Sequence, residues 1–151
     1  MSTFLGKYEV KADAKGRIFI PSGYRKLLPD GFRERVVMRH DTRSKCLIVY
    51  PEPVWVKKTE ELKSRLDEWN PEDEEIIRQF TANAEWLDID AQGRVLISKK
   101  KLESIGISNS EVLFVGEMDK FSIWSPGRYE QSQLQPEEFA ERLQQKMTRK
   151  P

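Results

Sequence analysis

The chain of 151 residues carries 26 Lys/Arg against 25 Asp/Glu, with one histidine, His40, and one cysteine, Cys46. A single cysteine excludes an internal disulfide framework, and a single histidine without a Cys or His partner argues against a protein-encoded zinc site or any other metal. The apolar runs are too short to span a bilayer, and Met1–Lys7 lacks a signal-peptide core, so a cytoplasmic protein with no membrane partner is expected.

In chain order, residues 4–12 read as a strand, because Tyr8, Val10 and Ala12 alternate with Glu9, Lys11 and Asp13. A turn follows at Asp13, and Ile18-Phe19-Ile20 leaves it as a second strand. Pro21-Ser22-Gly23 opens a short helix over Tyr24–Leu28, which Pro29-Asp30-Gly31 stops. Arg35–Arg39 reads as a strand, Asp41–Lys45 as a polar turn and Cys46–Tyr50 as the returning strand, where the thiol is expected to be buried and inert. Trp55, Leu62, Leu66 and Trp69 then fall on one helical face. A second connecting helix starts with Asn70 as N-cap, Pro71 at its first position and Glu72–Glu75 in its first turn, with Ile76, Ile77, Phe80 and Ala84 as its apolar side.

From Leu87 the opening order repeats. Leu87-Asp88-Ile89 enters a turn at Asp90 and Val95-Leu96-Ile97 leaves it. Ser98 is an N-cap for a helix over Lys99–Ile105 with Gly106 as its stop. Glu111–Val115, Glu117–Lys120 and Phe121–Trp124 match the strand, turn and strand of the first copy, and Pro126 and Tyr129 echo Pro51 and Trp55. Gln135-Pro136-Glu137-Glu138 opens a last helix with Phe139, Leu143 and Met147 on one face, followed by a loose tail to Pro151. The organisation read from this order is a first half over 1–53, a helical connector over 54–84, a second half over 85–130, and a C-terminal helix and tail over 131–151. Each half is too small for a robust core of its own, so mutual burial of the two is expected. The three amphipathic helices can serve the protein's own core or a neighbouring copy; the surplus of large aromatics favours partial use in assembly.

The repeat is sharpest at Asp13-Ala14-Lys15-Gly16-Arg17-Ile18 and Asp90-Ala91-Gln92-Gly93-Arg94-Val95, 77 residues apart. Asp at the first and Gly at the fourth position fit a type I turn: the carboxylate accepts backbone N–H groups ahead of it and the glycine takes positive φ. Arg17 and Arg94 then stand beside a hairpin tip. They can face an anion, or each can pair with its own aspartate and pin the turn; duplication alone does not separate these. The charge distribution adds a bias. Residues 1–51 sum to +6, 52–88 to −6 and 89–151 to +1, so a basic lobe sits beside an acidic connector.

The sequence resembles the MraZ family, bacterial transcriptional regulators of the division and cell-wall gene cluster. The resemblance is carried by Gly6-Lys7-Tyr8, Asp13-x-x-Gly16-Arg17-Ile18-x-Ile20-Pro21, Leu47-x-x-Tyr50-Pro51-x-x-x-Trp55, Arg78-x-Phe80, Asp90-x-x-Gly93-Arg94-Val95 and Phe121-x-Ile123-Trp124. It implies an α+β fold, mainly β, in which two AbrB-like swapped-hairpin halves form a pseudo-dimeric barrel. It also implies a ring-shaped homo-oligomer, nucleoid association, and binding of double-stranded DNA at repeated G-containing boxes upstream of the protein's own operon. Its DNA-facing residues would be Arg17 and Arg94, with Asp13, Gly16, Asp90 and Gly93 supporting the loops. Lys15, Lys7 and Lys11 would add charge against the DNA backbone. Ser98 in place of Pro21, Gln92 in place of Lys15, and the run Lys99-Lys100-Lys101 depart from the first copy. They lead us to expect the first loop to bind more strongly, with the lysine run as compensation for the second.

Rival readings differ in class. An adaptor could recruit a protein through the acidic connector. An enzyme is discounted: no phosphate loop, no nucleophile with a base beside it, no small-molecule site and no cofactor motif is present.

Overall fold

The computed structural model describes residues 3–149, which carry eight strands and six helices. The strands are β1 (Lys7–Lys11), β2 (Arg17–Phe19), β3 (Arg35–Asp41), β4 (Cys46–Tyr50), β5 (Ala84–Asp88), β6 (Arg94–Leu96), β7 (Glu111–Glu117) and β8 (Lys120–Trp124). The helices are α1 (Ser22–Arg25), α2 (Glu52–Ser64), α3 (Pro71–Ala82), α4 (Lys99–Ser104), α5 (Pro126–Ser132) and α6 (Pro136–Met147). Of the tail expected to be loose, Lys150 and Pro151 lie outside the described residues, as do Met1 and Ser2.

The fold is α+β, and the two halves exchange strands as expected. One sheet has the order β1-β7-β8-β4-β3-β5, and a second pairs β2 with β6. Exchanging the halves turns that order into its own reverse, so a pseudo-two-fold runs between β4 and β8 and through the Ile18–Val95 pair. Among the described residues β1 pairs only with β7 of the other half, and β5 only with β3. The ladder does not close: β1 and β5 remain edges, and the β2–β6 ribbon lies over the sheet as a separate layer.

Two-residue periodicity explains why the central strands read as unbroken apolar runs. Val36, Met38, Leu47, Val49, Val112, Phe114, Phe121 and Ile123 point to the inner core with Ile18, Ile20, Val95 and Ile97. Val37, Cys46, Ile48, Tyr50, Leu113, Val115 and Trp124 point to the other face, under Val54, Trp55 and Tyr129. Strands covered on both sides need no polar alternation. Burial pushes the Cys46 thiol up to about 12, which keeps it protonated and inert as expected.

The caps read from sequence are present. Asn70 accepts from the N–H of Glu72 at 2.9 Å, and Ser98 accepts from that of Lys101 at 3.1 Å. Trp55 stacks on Phe80 with ring centroids 5.5 Å apart, joining α2 to α3. Two expectations are corrected: α3 ends at Ala82, so Ala84, expected on its apolar side, instead opens β5. Trp69 does not extend the apolar face of α2; the helix ends at Ser64, and Trp69 stands 92% exposed in the connecting turn. Carboxylates take the backbone donors there: Asp73 accepts from the Asp67 N–H at 2.8 Å and Asp67 from that of Trp69 at 3.0 Å. That local alternative outcompetes another helical turn. The echo of Trp55 by Tyr129 holds: both rings pack on the last residue of a buried strand, Tyr50 and Trp124.

Ahead of β1, the N-terminal segment crosses β7. Met118 donates its N–H to the Phe4 carbonyl at 3.3 Å, and Gly116 donates to that of Gly6 at 2.9 Å. Phe4 is buried against Tyr24 and Phe121, at centroid distances of 5.5 and 5.2 Å. Among the described residues no helix is long and apolar enough to cross a membrane.

Candidate nucleic-acid interface

Each repeated turn is built by its aspartate. Oδ1 of Asp13 accepts from the N–H groups of Lys15 and Arg17, both at 2.9 Å, while Oδ2 accepts from Nε of Arg17 at 2.6 Å. Oδ1 of Asp90 accepts from Gln92 and Arg94 at 2.9 Å, and Oδ2 from Nε of Arg94 at 2.9 Å. The fourth-position glycines donate back to the aspartate carbonyls at 3.0 and 2.9 Å, with φ of +88° at Gly16 and +87° at Gly93. That is the type I turn with a left-handed residue that the spacing predicts. The halves also lock each other: Ile97 donates to the Gly16 carbonyl at 2.9 Å, and Ile20 to that of Gly93 at 3.0 Å.

The pinning alternative is therefore realised, since both arginines bond their own aspartates. It engages Nε alone. Among the described residues no other acceptor holds either guanidinium, so the terminal nitrogens remain available in a fixed orientation. The two side chains are 39% and 23% exposed, so neither is tucked into the core. Burial of Ile18 and Val95 sends Arg17, Phe19, Arg94 and Leu96 to the outer face of the ribbon. Arg17 sits directly across from Leu96 and Arg94 across from Phe19, with the Arg94 guanidinium 5.8 Å from the Phe19 ring centre. The pseudo-two-fold thus places two cations and two exposed apolar side chains on one small surface.

The remaining sequence-derived residues divide. Lys15 is exposed at the first turn. Lys7 and Lys11 share the α5-facing side of β1 with Glu9; Lys7 Nζ lies 5.8 Å from the Tyr129 ring, and Lys11 lines a shallow cleft with Pro126. The structure therefore does not gather them with Arg17 and Arg94. It gathers two neighbours instead: Arg25, which the sequence does not single out, and Lys99, which the sequence assigns to the second turn. Arg25 of α1 packs its guanidinium on Gly93 of the other half, and Lys99 of α4 lies beside Asp13. The signal was available in the repeat itself, because strand exchange must carry each half's helix to the other half's turn.

The backbone N–H of Arg17, ahead of its guanidinium, holds the Asp13 carboxyl below the usual aspartate range; Arg94 does the same for Asp90. A depressed value means that the pinning is complete above the unfolded aspartate value and fades as pH falls through the folded one. The protection factors of the Lys15 and Gln92 amides, with the intrinsic pH dependence of exchange divided out, should therefore stay flat down to about pH 4 and fall only below it. A fall beginning near pH 6 would contradict carboxylate pinning.

A model of the family described as "MraZ protein, putative antitoxin-like" matches residues 3–78 and 80–150. The transcriptional regulator MraZ of Bacteroides thetaiotaomicron is 44% identical over 147 residues, covering 97% of this chain and 94% of its own. That of Bacteroides fragilis is 42% identical over 147 residues, covering 97% and 92%. That of Yersinia pestis is 32% identical over 149 residues, covering 93% and 97%. These relatives are named as regulators rather than enzymes, in agreement with the expectation that the chain is not a catalyst. With two consecutive matches to the family model and this identity along nearly its whole length, the chain belongs to the MraZ family.

Proposed function

We propose that this transcriptional regulator acts by binding double-stranded DNA through its two Asp-x-x-Gly-Arg turns. The observation that carries the reading is the β2–β6 ribbon, whose outward face holds two guanidiniums fixed by Nε with their terminal nitrogens free. A two-stranded ribbon fits the major groove of B-DNA, and a guanidinium fork matches the O6 and N7 acceptors of guanine. Lys15 adds charge toward the phosphates; Asp13, Gly16, Asp90 and Gly93 hold the loops. Residues 1–53 and 85–130 form the DNA-gripping halves in this reading, while 54–84 and 131–151 serve assembly.

One copy offers few contacts, so affinity must come from repetition. Self-association into a ring is supported by α6, where every residue from 131 to 149 is exposed, including Phe139, Leu143 and Met147. Ile76 of α3 and Val56 of α2 are also exposed. An apolar stripe of this kind on a charged helix is suited to burial against a neighbouring copy. The natural target is a set of repeated boxes in the promoter of the chain's own division and cell-wall operon, which places the working protein in the cytoplasm at the nucleoid. Exposed Trp69 beside Asp67, Glu68 and Asp73 favours the rival role, an adaptor that docks a protein on the connector.

Electrophoretic retardation of the upstream region, measured across a salt series, separates the two. If about 6–10 phosphates are neutralised per complex, affinity should fall by about 10³–10⁵ between 50 and 200 mM salt. A wild-type protein that retards nothing at low salt, while being of defined oligomeric mass, would favour the adaptor.

A further inference from the structure

The two turns are related by pseudo-symmetry, but the clefts beside them are not alike in charge. Beside the second turn is an open cleft of about 330 Å³, bounded by the other half's α1 and the loop after it. Its charged lining is Arg25, Lys26 and Arg33 against Asp90 alone, and Asp90 is already paired with Arg94. The equivalent cleft beside the first turn, about 300 Å³, is bounded by α4. Its charged lining is Lys99 against Asp13 and Glu103, with Asp13 likewise already paired, to Arg17. Three cations face one anion on one side, and one cation faces two anions on the other.

The two arginines are anchored rather than loose. Arg25 donates Nε to the Ile20 carbonyl at 3.1 Å and lies against Gly93, where any Cβ would overlap its guanidinium. Arg33 donates Nε to the Leu28 carbonyl at 3.0 Å, and its terminal nitrogen is 3.2 Å from Asp30, an exposed residue outside the cleft. Lys26 is exposed at the cleft wall. Strand exchange puts Lys99, the first of the lysine run, beside the first turn and not the second.

Resting on the DNA-binding reading above, we infer that the Arg25–Lys26–Arg33 cleft is a binding site for the phosphodiester backbone, and that it gives each chain a polarity on DNA. Base-edge readout at the ribbon is shared between Arg17 and Arg94. Backbone grip is concentrated on the side of the second turn, although that turn carries Gln92 in place of Lys15. A protein with pseudo-two-fold strands would suit a palindromic half-site. With unequal clefts the two orientations of the chain on a site are not equivalent, because reversing the chain would set Glu103 against the phosphates that Lys26 and Arg33 now meet.

Two variants of equal charge change test this in the full-length protein: Lys26→Gln with Arg33→Gln, and Lys99→Gln with Lys100→Gln. Arg25 is left intact because it packs on Gly93. Binding of a short duplex from the upstream region is titrated across a salt series, with circular dichroism and solution mass as controls. If the cleft grips phosphates, the first variant lowers the slope of log K against log salt by about 0.9 for each contact removed. It also binds roughly tenfold more weakly than the second at physiological salt. Equal losses in the two variants, or a larger loss from Lys99 and Lys100, would overturn the inference while leaving DNA binding intact. A wild type that does not bind the duplex at low salt would overturn both.

Discussion

Exchanging both Arg17 and Arg94 for alanine is expected to lower DNA affinity at least about 30-fold, with the fold unchanged, since each well-placed bidentate contact contributes about 1–3 kcal/mol. Repetition in an oligomer would multiply the loss. Neither guanidinium holds the core together: each bonds only an aspartate four residues back, and both aspartates are at the surface. The informative comparison is with lysine at the same two positions. Arginine bonds Asp13 or Asp90 through Nε and keeps its terminal pair for a ligand, whereas an ammonium presents one compact charge and cannot do both in that geometry. Lysine should therefore recover little affinity although it restores the charge. Asp13→Ala with Asp90→Ala sharpens the point. Removing two negative charges should strengthen binding if attraction alone matters, but should weaken it if the turn must be held in shape. Full binding by the double alanine variant at Arg17 and Arg94, at the same oligomeric mass, would remove the ribbon from the interface.

Gly116→Ala is expected to cost about 3 kcal/mol of stability, the upper end of what forcing extra volume into a filled site costs. The cause is space, not backbone conformation. A Cβ at this position would overlap the carbonyl group of Phe4 and come within 2.7 Å of the Leu5 nitrogen, so backbone rather than a flexible side chain must move. The N-terminal segment would lift, and Phe4 would lose its seat between Tyr24 and Phe121. Urea denaturation of the wild type, Gly116→Ala, Phe4→Ala and the double variant closes the cycle. The single losses should be similar, and the double should be far less than their sum, because both changes release the same segment. Additive losses would show that Gly116 acts through something other than the seating of Phe4.

The chain's own order of residues was enough to place its local structure. Asp-x-x-Gly suits a type I turn followed by a left-handed residue, and both Gly16 and Gly93 take the positive φ that this needs. Asn70-Pro71 and Ser98 are read as helix starts because their side chains bond N–H groups two or three residues ahead, a local matter. Where one local bond competes with another, the same reasoning fell short: periodicity ran the first connecting helix on to Trp69, while Asp67 and Asp73 ended it earlier. Repetition at 77 residues announced two equivalent halves, and their small size announced that each must complete the other.

What the sequence by itself determined, then, was the two turns, the arginines beside them, the strands and the caps, since each depends on contacts within a few residues. Only the tertiary structure decided which groups share a surface. It turned Lys7 and Lys11 toward α5, brought Arg25, Lys26 and Arg33 to the second turn and left Lys99 beside the first. The physical reason is the strand exchange. Among the described residues β1 and β5 each find their only sheet partner in the opposite half, and α1 and α4 are delivered across the pseudo-two-fold, so the charge beside a turn is set by residues far away in the chain.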